Sequence, residues 1–344
     1  MKRIFLSLAV AAAVLVGCQD NEKNVELAQE QIIDMSDFYV HTDADQSRGV
    51  SESCHSMRVL NRQLKENPEL YKKMYDVEYA TRKFIAAKGK PGNGGGNNGG
   101  GSEPTPDNLG VINIPVYVHV VYSNSNENIS DAQIASQISV LNEDFRKQNS
   151  DVSNAPAEFA PLAADSEITF SLAGTFRYAS STTSWGTNDA VKATYPPVTP
   201  ETHLNVWVCN IGGGILGYAQ FPGGNLATDG VVCAPQFFGK TGYVQAPFNK
   251  GRTMTHEVGH YLNLRHIWGD GRCKQDDFVA DTPSSDGPNY GCPTYPTVNC
   301  RTNDMTMNYM DYVDDACMYM FSEGQKSRMR AIFQSGGARA SMIN

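Results

Sequence analysis

The sequence holds no run of basic residues, and acidic side chains outnumber basic ones, 37 against 28, for a formal net charge of −9. That balance argues against a nucleic-acid surface. The glycine run Gly212-Gly213-Gly214 lacks the Lys and Ser/Thr of a phosphate loop, so nothing points to a nucleotide. The apolar run from Ile4 to Val16 is too short to cross a bilayer. Histidine is scarce, 7 in 344 residues. A histidine cluster in such a chain is unlikely to be accidental.

There is one: His256-Glu257-Val258-Gly259-His260-Tyr261-Leu262-Asn263-Leu264-Arg265-His266. Histidines four apart on a helix project from one face and reach one metal ion. The Glu beside them is placed to take a proton from a metal-bound water. The third histidine comes six residues after the second, so the chain must turn after Leu262, and Asn263 tolerates the left-handed backbone of such a turn. Three neutral imidazoles and one water are the open arrangement of catalytic zinc.

This stretch resembles the long zinc-binding motif of the metzincin metallopeptidases, and its surroundings look most like the pappalysin (cytophagalysin-like) family. Asn263 stands where most metzincins carry Gly. The resemblance implies a zinc endopeptidase acting on proteins or peptides, with His256, His260 and His266 on zinc and Glu257 as general base. Asn308-Tyr309-Met310-Asp311-Tyr312 is similar to the Met-turn, with Met310 under the zinc ligands and Tyr312 donating to the oxyanion. The stretch Gly212–Ala219 is assigned to a rim strand above the cleft, which would pair with extended substrate. The implied fold is α+β, metzincin-like. Its upper subdomain has a mixed twisted sheet, a backing helix and the active-site helix; its lower subdomain is irregular, disulfide-stapled and closed by a C-terminal helix.

Composition divides the chain. Lys2 and Arg3, the apolar run and Leu15-Val16-Gly17-Cys18 resemble a bacterial lipoprotein signal over 1–18, with Cys18 acylated. This predicts an exported lipoprotein, held by a lipid anchor at the outer membrane or cell surface. Residues 19–50 read as a flexible tether. Over 51–87, Met57, Leu60, Leu64, Leu70, Met74 and Phe84 recur at roughly helical spacing around Pro68, a helical segment too small to fold alone. A glycine-rich linker fills 88–110 and would be easily cut, and the catalytic domain is 111–344. Within that domain Ile114 to Tyr122 reads as a buried strand, with His119 packed in it rather than on metal. Ser130 and Gln133 form a capping box for a backing helix with Ile134, Ile138, Leu141 and Phe145 on one face. A last helix runs from Ser322 to Gly336.

Export permits disulfides. Acylation of Cys18 leaves seven cysteines, an odd number. Cys273, Cys292, Cys300 and Cys317 allow three pairings, and the family resemblance favours Cys273–Cys300 and Cys292–Cys317. Cys209 and Cys233 are a candidate third bond. Cys54 remains, and it looks like the cysteine switch of metzincin zymogens, a prosegment thiolate on the zinc. Asp276 to Pro283 resembles a family segment wound around calcium, with Asp277, Thr282 and the Val279 carbonyl as ligands. Asp314 and Asp315 follow the Met-turn, where related enzymes shape the pocket after the cut. A carboxylate there would favour basic residues and make Lys88 or Lys90 self-cleavage points. Two rivals use the same fold differently: a surface lipoprotein that binds host or matrix protein without cutting it, and an amidase on glycans or cell wall. Binding alone does not require Glu257.

Overall fold

The computed structural model describes residues 32–40, 54–88 and 107–343. Cys18, the 1–18 signal, most of the tether, Lys90 and the centre of the linker lie outside the described residues. The leader, meaning the chain ahead of the glycine-rich linker and including residues 32–40, forms α1 (Ser56–Glu66) and α2 (Glu69–Lys88), broken at the Asn67-Pro68 step. Proline cannot donate inside a helix and pushes its predecessor out of the α region. In the leader, Val40, Met57, Leu60, Leu70 and Met74 are buried in one cluster with Phe221 of the body.

In the body, β1 (Ile112–Tyr122) pairs in parallel with β2 (Ile168–Ala179) and β3 (Leu204–Val208). Between β1 and β2 comes the backing helix α3 (Asp131–Phe145), and a short α4 (Ala190–Thr194) precedes β3. Next are the rim strand β4 (Gly217–Ala219) and β5 (Val231–Cys233). The sheet order is β2-β1-β3-β5-β4, all parallel except β4, which runs antiparallel at the edge. Period-two alternation sorts the side chains. Ile114, Val116, Val118 and Val120 face the main core with Ile134, Leu141 and Phe145 of α3. Val121, Trp207, Tyr218 and Val232 form a second cluster with Val59 of α1. Each such aliphatic side chain contributes roughly 1.5–3 kcal/mol on full burial.

Two expectations are corrected. Val208 pairs with Cys233, so Cys209, one residue on, points to the other face: Cys233 lies in the main core and Cys209 in the second cluster. No bond joins them, and both are free, buried thiols. The Ser130 hydroxyl accepts from Gln133 N as a helix cap, but the Gln133 amide donates to the carbonyls of Pro235 and Phe238 at 2.9 Å instead of returning to the cap. His119 is buried in β1, bonded through Nε2 to Asn205 at 2.9 Å and stacked between Phe176 and Trp207.

Helix α5 (Arg252–Tyr261), which carries His256, Glu257 and His260, follows, and beyond it the chain is irregular apart from the two-residue strands β6 (Val298–Asn299) and β7 (Thr302–Asn303) until the last helix. Disulfides Cys273–Cys300 and Cys292–Cys317 staple this half. It ends in α6 (Glu323–Ala331), opened by a complete Ser322/Gln325 capping box and carrying Met329 inward, with Ile332 and Phe333 buried just after it.

Candidate active site and metal centre

Helix α5 is buried along its whole length, His256 and His260 with it. The helix stops at Leu262. Asn263 takes φ +76°, and Leu264 N donates back to Gly259 O at 2.9 Å. That left-handed residue returns His266 toward the other two rings. The three Nε2 atoms stand 3.1, 3.1 and 3.3 Å apart.

The opposite ring nitrogens fix the tautomers. His256 Nδ1 donates to Tyr309 O at 2.7 Å, His260 Nδ1 to Leu264 O at 2.8 Å, and His266 Nδ1 to the buried Asp270 carboxylate. Since carbonyls and carboxylates only accept, each proton is on Nδ1 and each Nε2 presents a lone pair. Burial, with His266 nearby, pushes His256 down to about 3 and His260 well below its ordinary value, so both are neutral. Three lone pairs turned on one another need a cation between them. Their spacing matches the edge of about 3.3 Å expected for nitrogens at about 2.0–2.1 Å from a tetrahedral zinc. The residues fit the metal.

Trp268 stacks on His266, centroids 4.3 Å apart and planes 3° from parallel. Met310 lies beneath α5, where a Cβ at Gly259 would strike its sulfur. The Asn308 carboxamide holds this turn, accepting from Met310 N at 2.9 Å and exchanging hydrogen bonds with Gln325 at the α6 cap. Glu257 is buried beside the rim strand, where a Cβ at Gly217 would meet its Cγ at 2.9 Å. Burial raises the Glu257 carboxyl to about 7, against the lowering hydrogen bonds of Ser56 and Cys54.

Into this site comes the leader. Cys54 bridges Gly217 of β4 in parallel, and His55 N donates to Gly217 O at 3.1 Å. The Cys54 sulfur and the three histidine nitrogens all lie within 4.8 Å of one another. Ser56 Oγ donates to Glu257 Oε2 at 2.7 Å and accepts from Ala219 N at 2.7 Å. The Tyr312 hydroxyl donates to Cys54 O at 3.3 Å, and its ring packs against His256, His266 and Trp268. Burial and then the Glu257 charge push the Cys54 thiol well above its ordinary value, and it donates to Glu257 at 3.4 Å. A cation among the imidazoles would reverse that and favour the thiolate.

A shallow recess opens at Glu257, lined by Leu216, Phe248, Thr253, Val313 and Asp315 among others. Asp315 Oδ2 accepts from Lys250 N at 2.7 Å, while Oδ1 has no partner among the described residues. Asp314 is half-buried and is not part of that lining. Farther off, Thr282 Oγ1 lies 2.8 and 2.9 Å from the two Asp277 oxygens and 2.9 Å from Val279 O. One hydroxyl proton serves three acceptors there, and Asp277 is buried, its carboxyl held well above the usual range by burial.

This geometry has counterparts. Residues 187–334 match the M43 peptidase family described as pregnancy-associated plasma protein-A. The extracellular metalloprotease of Arthroderma otae is 31% identical over 244 residues, 68% of this chain and 83% of that protein. That of Pyricularia oryzae is 34% identical over 235 residues, 64% of this chain and 75% of the relative. The chain belongs to the pappalysin family of metallopeptidases. Among solved structures, mature mirolysin of Tannerella forsythia in complex with a cleaved peptide is 48% identical, covers 68% of this chain and 96% of its own, and superposes with TM-score 0.66. A promirolysin mutant from the same organism is 41% identical, covers 85% of this chain and 97% of its own, with TM-score 0.73.

As a pappalysin, the chain has site residues that were not singled out in the sequence. Asp270 reads there as one acid in a glycine-flanked loop; its signal is the four-residue step from His266. Ser56 has no sequence signal, because its role depends on β4 and α5 lying beside it.

Proposed function

We propose that this pappalysin is an exported zinc endopeptidase made as a latent zymogen. His256, His260 and His266 hold the zinc, which when bound lowers the pKa of a coordinated water and polarises the scissile carbonyl. Substrate lies extended along β4, its backbone adding to the sheet edge. Glu257 takes the proton of the attacking water and passes it to the leaving amine. The Tyr312 hydroxyl donates to the developing oxyanion. Asp315, which lines the neighbouring recess and has one buried oxygen without a partner among the described residues, favours a basic residue after the cut.

The observation that carries latency is the seat of Cys54: its sulfur joins the three imidazole nitrogens while Ser56 holds Glu257. Metal and base are blocked together. The greater reach of the promirolysin likeness, compared with mature mirolysin, supports reading 51–87 as a prosegment. Cleavage between about Ala86 and Asp107 begins activation, with Lys88 or Lys90 as self-cleavage points. The names of the fungal relatives support export, and Cys18 carries the lipid anchor. A calcium ion among Asp277, Thr282 and the Val279 carbonyl supplies the positive charge that their crowded oxygens lack.

Expressing wild type, Cys54→Ala and Glu257→Ala side by side tests this. Wild type is expected to be latent until processed, Cys54→Ala active or self-degrading early, and Glu257→Ala intact and inactive. Equal, immediate cleavage by unprocessed wild type and Cys54→Ala would rule out the switch. Activity in Glu257→Ala would rule out the assigned base.

A further inference from the structure

A group of buried cations lies outside the metal centre. Arg265, next to His266 in the chain, and Arg328, on α6, are 6% and 2% exposed. Both guanidinium groups stand over the ring of Phe278, 4.6 and 5.7 Å from its centroid. Arg265 Nη1 and Arg328 Nε are buried and have no hydrogen-bond partner among the described residues. Among the described residues, the body's hydrogen bonds to the Arg328 side chain are two long ones, to Phe278 O at 3.3 Å and Asn263 O at 3.5 Å.

The leader supplies the rest. Glu78 of α2 meets Arg328 with both oxygens, at 2.7 and 3.1 Å, and is the sole carboxylate paired with it among the described residues. Tyr39 lays its ring 4.5 Å from the Arg265 guanidinium and accepts from Arg265 with its carbonyl. Phe38 and Tyr39 pack on Phe278, with centroids 6.2 and 5.4 Å away. An unpaired buried cation is costly, so this surface has a built-in preference for an occupant carrying a carboxylate and aromatic rings.

We propose that Arg265, Phe278 and Arg328 form a peptide-binding site apart from the catalytic cleft, and that its occupant is the cut leader, which stays bound there as an inhibitor. The proposal rests on the reading of the leader as a prosegment. Its logic lies in where the cut falls. Cys54 and Ser56 at the cleft and Tyr39 and Glu78 at the second site all precede Lys88. A cut between residues 89 and 106 leaves both contacts on one fragment. Each contact keeps the other at high effective concentration, as it did before the cut. Processing alone therefore does not release activity. Release requires dilution or digestion of the leader.

The test uses full-length protein carrying a specific protease site within residues 89–106, nicked there on demand. After nicking, wild-type leader is expected to co-elute with the body in gel filtration at micromolar concentration, with peptidase activity appearing only on dilution. Nicked Glu78→Gln should lose its leader at about tenfold or higher concentration than wild type, the scale of a charge-assisted hydrogen-bonded pair. Phe38→Ala, which leaves the buried charges intact, should shift release in the same direction should Glu78→Gln fold poorly. Activity in un-nicked protein would overturn the prosegment reading itself. Latency before nicking, followed by immediate loss of wild-type leader, would overturn only the second site. So would identical release curves for wild type and both variants. The site would belong to substrate instead if the leader leaves at once while Arg328→Gln slows cleavage of a protein but not of a short peptide.

Discussion

Asp270 holds the His266 ring from behind. Its carboxylate receives the His266 Nδ1 proton, which keeps the Nε2 lone pair aimed at the other two imidazoles. Such supporting acids raise ligand basicity and fix ring orientation, and their loss typically costs about 10- to 100-fold in metal affinity. Asp270→Ala should therefore surrender zinc to a competing chelator at correspondingly lower chelator concentration, with the fold intact by circular dichroism. Wild-type retention of zinc would show that the Trp268 stack and the turn alone position His266. The histidine spacing was legible because it obeys helix geometry plus one forced turn. Asp270 was not, because an acid between glycines has many uses and only the folded loop chooses one. Cys209 and Cys233 illustrate the opposite error: two cysteines flanking a rim invite a bond, but strand register sends them to opposite faces.

At the scale of elements, the turn after α5 depends on one backbone angle. Asn263 at φ +76° is a conformation that Gly adopts freely and β-branched residues resist. Asn263→Gly should keep zinc and activity, whereas Asn263→Val should lower stability by roughly 1–2 kcal/mol and weaken zinc retention. Equal melting temperatures for the two variants would deny the turn that role. Helices α2 and α6 are joined by Glu78 and Arg328, separated by 250 residues in sequence. Burial opposes the Glu78 charge, but Arg328, with help from Arg82, outweighs it and draws the carboxyl from 4.5 to about 2. A depressed carboxyl contributes stability that is present above pH 4.5 and lost as pH falls toward 2. The contribution is on the order of 3 kcal/mol at neutral pH. Unfolding of full-length wild type and Glu78→Gln, followed from pH 7 to pH 2, should show a gap that is constant to about pH 5 and then narrows. A gap independent of pH would remove the ion pair as its cause. The buried β1, the backing helix and the capped last helix were readable from periodicity and caps. Nothing local in α2 announces a partner on α6.

For the whole molecule, the sheet half follows from its own alternation, while the irregular half owes its shape to staples. Two disulfides were legible through family likeness; the calcium reading is testable by melting. If an ion sits among Asp277, Thr282 and Val279, removing calcium under conditions that spare zinc should lower the melting temperature, and restoring it should raise it by mass action. An unchanged melting temperature would leave a hydrogen-bonded acidic turn. How the leader straddles both halves was beyond sequence reasoning, because its contacts are long-range and depend on β4, α5 and α6 already being in place.

The Lys88 ammonium lies 3.3 Å from the Asp107 carboxylate, which Arg330 also grips. Entry to and exit from the glycine-rich segment are thus fastened at one point of the structure. Lengthening a segment between fixed ends changes its closure cost little, about 0.6 kcal/mol per doubling. On the latency reading, the identity of the activating protease is therefore written in an interchangeable cassette. That cassette can be rewritten, and the protease that makes the first cut exchanged, without renegotiating either the leader or the body.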